Sequence, residues 1–172
     1  ITQDTVIGSD NITISGENFT VTADIVNYPG LVQNGTSGSS GYTNITIQNI
    51  GVQSVQPGNS WVCQSYFGRS ISTGTISILS CYSTGTMSNG GIVGMSLGHQ
   101  ATGGTINVQN CYSTGNQTNI STGGIVGTNI GYQCRGSITI QNCYSTGNIT
   151  SYGGGIVGGD GGITLGGGSI TI

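Results

Sequence analysis

The sequence contains no lysine, and its only basic side chains are Arg69 and Arg135. A chain that binds nucleic acid neutralises phosphates with clustered Lys and Arg, so this composition excludes nucleic acid as an expected partner. Charged residues of both signs make up only 4% of the 172 positions, for a net charge of −3. Disorder of the charge-driven kind needs high net charge and few apolar residues. Here the charge is low and Ile and Val recur regularly, which predicts ordered β structure. No apolar run approaches the roughly 18 residues that a membrane helix needs, so membrane insertion is not expected. Glu, Lys, Ala and Leu are scarce while Thr, Ser, Gly, Ile and Val abound, so few or no helices are expected.

Catalytic groups are equally sparse. The five acids are Asp4, Asp10, Glu17, Asp24 and Asp160, four of them within the first 24 residues. Such a distribution gives no paired carboxylates of the kind that glycoside chemistry requires. Five Cys is an odd number and their spacing resembles no zinc motif. Neither an enzyme nor a cofactor or metal site is predicted.

What the sequence has in quantity is repetition. Cys-Tyr-Ser-Thr-Gly occurs at 81–85, 111–115 and 143–147. An active site is normally built once, so a pentapeptide written three times points to architecture. An Ile-x-Ile/Val pair precedes each copy (Ile76/Ile78, Ile106/Val108, Ile138/Ile140) and recurs alone at Ile12/Ile14, Ile45/Ile47 and Ile170/Ile172. Successive first members lie 33, 31, 30, 32 and 32 residues apart. A second ladder follows the first: Leu31-Val32, Trp61-Val62, Ile92-Val93, Ile125-Val126 and Ile156-Val157. Its last three copies read Gly-Gly-Ile-Val-Gly. These periods predict one all-β domain over 1–172, a right-handed parallel β-helix of about five rungs of about 31 residues. Rungs are degenerate over 1–73 and regular over 74–172. One turn cannot bury its few Ile and Val alone, whereas stacking turns about 4.8 Å apart makes a continuous core about 25 Å tall.

Stacking would align Cys81, Cys111 and Cys143 in one column and Tyr82, Tyr112 and Tyr144 in another. Asn110 would lie on Asn142, with Asn49 and Ser80 at the same level, and amides so stacked can hydrogen-bond along the column. Which of Cys and Tyr faces inward stays open. Unbroken alternation from Ile106 and Val108 puts Tyr112 inside, whereas a corner at Gln-Asn resets the phase and puts Cys111 and Ser113 inside. Vertical Cys neighbours could form a disulfide, with Cys63 and Cys134 as further partners, or remain free and buried.

The segments "GGIVG" and "ITIQNCYSTGNIT" resemble the GLUG motif, a Gly-Leu-hydrophobic-Gly repeat with an interleaved Tyr-x-Thr-Gly-Asn element. The motif is found in bacterial surface proteins, including adhesin-like proteins and regions of IgA-specific metallopeptidases. The match is good over 74–172, while over 1–73 only the Ile-x-Ile and Leu/Trp-Val anchors persist. The resemblance implies a surface-exposed, extracellular β-solenoid for display or adhesion. It transfers no catalytic residue, and the His-Glu-x-x-His signature of the metallopeptidase domain is absent.

Other readings compete for particular residues. His99, Cys134 with Arg135, and Asp160 fall in loops of successive rungs and superficially suggest a Cys-His-Asp nucleophile system. Nothing in these Gly-rich loops holds them rigid, so three unrelated loop residues are expected. The Tyr column could offer a platform to glycans. Ice binding would need paired Thr rows, whereas the outward positions between the Ile pairs (Thr13, Thr46, Ser77, Asn107, Thr139, Thr171) give one irregular column. Seven sequons, at Asn11, Asn18, Asn34, Asn44, Asn116, Asn119 and Asn148, fit a secreted protein and are possible glycosylation sites.

The chain begins at Ile1 without a leader pattern, as expected of a processed chain or of a segment of a longer one. It closes on "GGGSITI", the start of another rung, and no helix or charge run is available as a cap. Open solenoid ends either continue into more solenoid or dock head to tail, and low charge removes much of the repulsion opposing docking. The expected function is therefore an extracellular filament subunit, surface fibre or adhesin stalk whose principal partner is itself.

Overall fold

The computed structural model describes residues 4–53, 56, 58, 61–159 and 167–172. Among them are thirteen short strands and no helix. They run in chain order as β1 (Thr5–Val6), β2 (Thr13–Ser15), β3 (Thr20–Thr22), β4 (Val32–Gln33), β5 (Ile45–Gln48), β6 (Gly51–Gln53) and β7 (Thr75–Leu79). These are followed by β8 (Tyr82–Ser83), β9 (Thr105–Gln109), β10 (Tyr112–Ser113), β11 (Ser137–Gln141), β12 (Tyr144–Ser145) and β13 (Ser169–Thr171). All pairings are parallel, and each joins a strand to its counterpart one turn away. The result is a β-solenoid of about five turns, as the 31-residue period predicts.

Three walls enclose the core. The widest is a six-stranded sheet in the order β13-β11-β9-β7-β5-β2, formed by the Ile-x-Ile/Val pairs. The second is five-stranded, β12-β10-β8-β6-β3, and holds the Tyr-Ser of each pentapeptide. The third starts as the pair β1-β4 and continues as single bridges from Val32 through Cys63, Val93 and Val126 to Val157. In the wide sheet the pairing runs Ile45 to Ile76 to Ile106 to Ile138 to Ile170, so like stacks on like. Side chains alternate across a strand, which sends these Ile inward and leaves Thr46, Ser77, Asn107 and Thr139 outward.

The third wall departs from the sequence alignment by one residue. Trp61-Val62 was expected opposite Ile92-Val93, but Val93 bridges Cys63, and Cys63 in turn bridges Val32. Val62 therefore lies level with Ile92, and Trp61 is displaced inward, where it is fully buried with its ring 5.7 Å from that of Tyr28. The indole joins Ile45, Ile47 and Phe67 among the fully buried large side chains of its turn, and burial of its area outweighs register with the Ile ladder.

The corner question also resolves. Asn49, Ser80, Asn110 and Asn142 have φ of 54°, 52°, 55° and 54°. This left-handed conformation is one that Asn adopts at low cost, and it turns the chain between the first two walls. The turn resets the alternation, so Cys81 and Cys111 face the core with Ser83 and Ser113, and the tyrosines face out. Unbroken alternation, which would have buried Tyr112, does not hold.

The Gly-Gly-Ile-Val-Gly motif is explained by close approaches. A Cβ on Gly123 would lie 1.8 Å from the Val126 carbonyl oxygen, within the same loop. One on Gly124 would lie 2.1 Å from the Gly155 oxygen of the next rung and 2.5 Å from Cβ of Ser145. One on Gly127 would meet the Met95 nitrogen of the preceding rung at 2.9 Å. Each glycine thus stands where backbone passes backbone too closely for any side chain.

Candidate functional site

The two columns built by the pentapeptide differ in character. Tyr82, Tyr112 and Tyr144 stack outside the second wall with ring centroids 5.1 Å and 5.2 Å apart and planes within 5° of parallel. The Tyr82 ring leans over Gly51 of the preceding rung, where an added Cβ would lie 2.1 Å from Cζ. Its hydroxyl reaches Thr20, one rung further, in a very short hydrogen bond. The column therefore spans five rungs, Thr20, Gly51 and three tyrosines, and ties the irregular N-terminal turns to the regular ones. Because the rings turn their faces to one another, the only ring face left uncovered by the column is the outer one of Tyr144, which is 53% exposed. A sugar platform needs open faces, so cohesion between rungs is the role this arrangement performs best.

The cysteines are free thiols with no disulfide among them. In the pentapeptide copies, each thiol has two corner carbonyls within reach of its one S–H donor. Cys81 Sγ reaches Leu79 O at 3.3 Å and Ile47 O at 3.8 Å. Cys111 Sγ reaches Gln109 O at 3.3 Å and Ile78 O at 3.6 Å, and Cys143 Sγ reaches Gln141 O at 3.3 Å and Val108 O at 3.5 Å. Turning the corner leaves these carbonyls aimed inward, and a small, weakly polar thiol supplies a donor without costing core volume. The thiols also contact one another. Cys111 sits between the other two and is held protonated, its pKa pushed up by Cys143 first, then Cys81 and burial. Cys143, which is half-buried in the last complete rung, has its pKa lowered to about 7 by the hydrogen bond from Cys111. Burial raises the Cys63 thiol well above its ordinary value.

The expected asparagine ladder is not where the amide contacts are made. Asn110 and Asn142 are exposed and Asn49 half-buried, and their contribution is the left-handed backbone. Among the described residues, the inter-rung amide bonds come from other columns. Gln33 donates to Gln64 at 3.0 Å, Gln100 to Gln133 at 3.0 Å, Gln109 to Gln141 at 3.5 Å and Asn44 to Asn11 at 3.0 Å.

Of the sequons, Asn11, Asn18, Asn44, Asn116, Asn119 and Asn148 are exposed. Asn34 is an exception at 1% exposure. Its Oδ1 accepts from Tyr42 N at 2.7 Å and its Nδ2 donates to Tyr42 O at 3.0 Å, so the folded chain has no room for a glycan there.

On the outer face of the wide sheet, the column through Thr46 and Ser77 is accompanied by a second, Thr75, Thr105, Ser137 and Ser169, two residues earlier in each strand. The face is thus paired over these rungs, not single as expected. No rung carries threonine at both positions, and Ser137 and Ser169 bond to each other at 3.0 Å.

A second aromatic column went unread in the sequence. Its signal is a hydrophobic-Gly step in the third-wall loops: Phe67-Gly68, Leu97-Gly98 and Ile130-Gly131. Phe67, Leu97 and Ile130 are buried, and the glycines have φ of 71°, 65° and 63°. The residues flanking each step project outward, so the His99 ring stacks on Tyr132 at 5.2 Å and meets the edge of Tyr66 at 5.6 Å. His99 is kept neutral by burial and then by the Arg69 charge, both of which lower its pKa. Cys134 lies on the inward side of the same turn and is buried, so His99 and Cys134 point to opposite sides of the wall. Asp160 lies outside the described residues. The Cys-His-Asp arrangement is therefore not formed by the two members whose positions are described. Arg69 donates to Thr36 O and Ser37 O and, at 2.9 Å, to Gln100 Oε1, which fastens a loop of the preceding rung.

Among the described residues there is no group of three or more His, Cys, Asp or Glu placed to hold a metal ion, and no helix long and apolar enough to cross a membrane. Comparison with family models, curated proteins and solved structures finds no match to this chain.

Proposed function

We propose that this chain is an extracellular structural β-solenoid, a subunit of a filament or surface fibre, that associates head to tail through its first and last rungs. The observation that carries this reading is where apolar surface lies. Interior ladder residues such as Ile45, Ile47, Ile76 and Ile78 are fully buried. Phe19 in the first rung is 77% exposed, and in the last rung Ile149 is 56% exposed and Tyr152 83%; Ile120, one rung in from the last, is 69% exposed as well. Among the described residues, β2 and β13 are the outermost strands of the wide sheet, each with one edge that no described strand covers. Exposed apolar strand edges are where further β structure adds. The fit is self-complementary, because Ile170 of one copy would stand over Ile12 of the next and continue the ladder.

A surface-displayed adhesin stalk related to the GLUG-motif repeats is consistent with this reading. The repeated Gly-Gly-Ile-Val-Gly and Cys-Tyr-Ser-Thr-Gly segments support it, as do six exposed sequons. Glycan recognition by Tyr82, Tyr112 and Tyr144, the other reading of the column, is limited to the edge of the stack and the single open face of Tyr144.

Negative-stain electron microscopy across a dilution series tests the proposal, with Phe19→Glu and Ile149→Glu as variants whose parent side chains are exposed and contribute little to the fold. Filaments with a fixed axial repeat that dissolve in the variants are expected. Dispersed particles at every concentration would refute self-assembly and leave a stalk segment within a longer fibre.

A further inference from the structure

The turn that carries the second aromatic column also encloses a groove, of about 180 Å³, lined by Tyr66, Ser96, His99, Asn129 and Tyr132. Its walls are aromatic, and three polar groups face it without a protein partner among the described residues. Ser96 is only 3% exposed, and its hydroxyl makes no hydrogen bond to the protein. The Asn129 side-chain amide is likewise uncommitted, and Nδ1 of His99 is buried and unpaired. Buried polar groups are ordinarily satisfied, and Nδ1 of His99 is not; it stands beside a concavity whose lining adds the Ser96 hydroxyl and the amide of half-buried Asn129, hydrogen-bonding capacity that a ligand can take up. Their chemistry is specific. A hydroxyl, an amide and a neutral imidazole offer donors and acceptors with no net charge, and Arg69, the nearest cation, is spent on two carbonyls and Gln100.

We propose that this groove binds one ring of a neutral oligosaccharide, with the apolar face of the ring against Tyr132 or Tyr66 and its hydroxyls bonded to Ser96, Asn129 and His99. Flat aromatic walls match the C–H face of a pyranose, and the three uncharged polar groups match vicinal hydroxyls. Tyr66 also walls a second groove of about 210 Å³, on whose lining stand Gln33, Thr36, Ser37 and Gln64. The two grooves lie on either side of one tyrosine and share an amide- and hydroxyl-rich character, which suits a ligand of at least two sugar units. This site is distinct from the Tyr82 column and does not depend on the self-assembly proposed above.

The test is a titration followed by ¹H–¹⁵N NMR, with linear tetrasaccharides of glucose, mannose, galactose and N-acetylglucosamine as the probes. Ser96 and Asn129 have φ of 62° and 57°, a conformation that glycine adopts freely, so Ser96→Gly and Asn129→Gly remove the polar groups without unfolding the turn. At least one probe is expected to give saturable shifts at the Gly98 and Gly131 amides, insensitive to added salt. The double glycine variant should weaken binding by roughly tenfold or more, the equivalent of one lost hydrogen bond, with an unchanged melting temperature. Absence of saturable shifts with all four probes would overturn the assignment. So would shifts confined to the Tyr82 column, or binding that the double variant leaves intact.

Discussion

Replacing Gly124 by alanine puts a single methyl group at the tightest kind of contact in this fold. The added Cβ would lie 2.1 Å from the Gly155 carbonyl oxygen, against a backbone that cannot rotate away, and 2.5 Å from Ser145 Cβ. Relief requires the rungs to separate locally, which strains the bonds from Gly124 N to Gly154 O at 3.0 Å and from Ile125 N to Ile156 O at 2.9 Å. Overpacking costs about 1–3 kcal/mol, and each weakened backbone bond adds about 1 kcal/mol. A loss of about 3–5 kcal/mol is therefore expected, a large part of the roughly 5–15 kcal/mol that holds a domain folded. For a chain of this size that lowers the melting temperature by roughly 6–20 °C. The control is Gly38→Ala, where an added Cβ meets nothing within 4 Å. It should be neutral or stabilising by up to about 1 kcal/mol through the unfolded chain. Far-UV circular dichroism during thermal and urea unfolding reads both variants. A Gly124→Ala protein whose stability lies within about 0.5 kcal/mol of Gly38→Ala would refute the account of the motif.

Other outcomes follow from the columns. Gly51→Ala forces only the Tyr82 ring to swing out, so it should cost about 1–2 kcal/mol, the stacking and hydroxyl contacts of one tyrosine, and change the near-UV dichroism; an unchanged near-UV spectrum would show that the ring does not rest on Gly51. Cys143 should be the first thiol to react with a disulfide reagent, at a rate rising as pH passes through about 7. Cys111→Ala, by removing the donor that stabilises the Cys143 thiolate, should move that rise toward the ordinary thiol range, and a rise that stays in place would exclude the contact. Ile106→Ala, in the middle of the wide sheet, should cost about 2–5 kcal/mol, whereas Ile149→Ala should stay within about 0.5 kcal/mol, because only the first side chain is buried. Denaturation midpoints that do not separate these two would contradict the placement of the core. Folded protein from a glycosylating host should carry no glycan at Asn34, and peptide mass spectrometry that finds Asn34 occupied would contradict its burial.

The period was legible in the sequence because a solenoid repeats its environment. Each rung exposes the same positions to the same neighbours, so Ile76, Ile106 and Ile138 had to recur, and the scarcity of Glu, Lys, Ala and Leu favoured strands over helices. The pentapeptide and the glycine motif were likewise recognisable as architecture from their spacing alone. What they do was decided in three dimensions. Whether Cys111 or Tyr112 lies inside depends on a left-handed φ at Asn110, a single dihedral that the residue type allows without requiring. Register on the third wall turned on the volume of Trp61, which packing accommodated by a one-residue shift that no alignment of Ile and Val reveals. The second aromatic column escaped because its members are not one residue type in one position: His99 and Tyr132 both follow the hydrophobic-Gly step, whereas Tyr66 precedes it. Only the stacking of rungs brings them together. Local pattern fixes which residues repeat, whereas the direction in which each side chain leaves the wall is set by the corner before it and by the rung above and below.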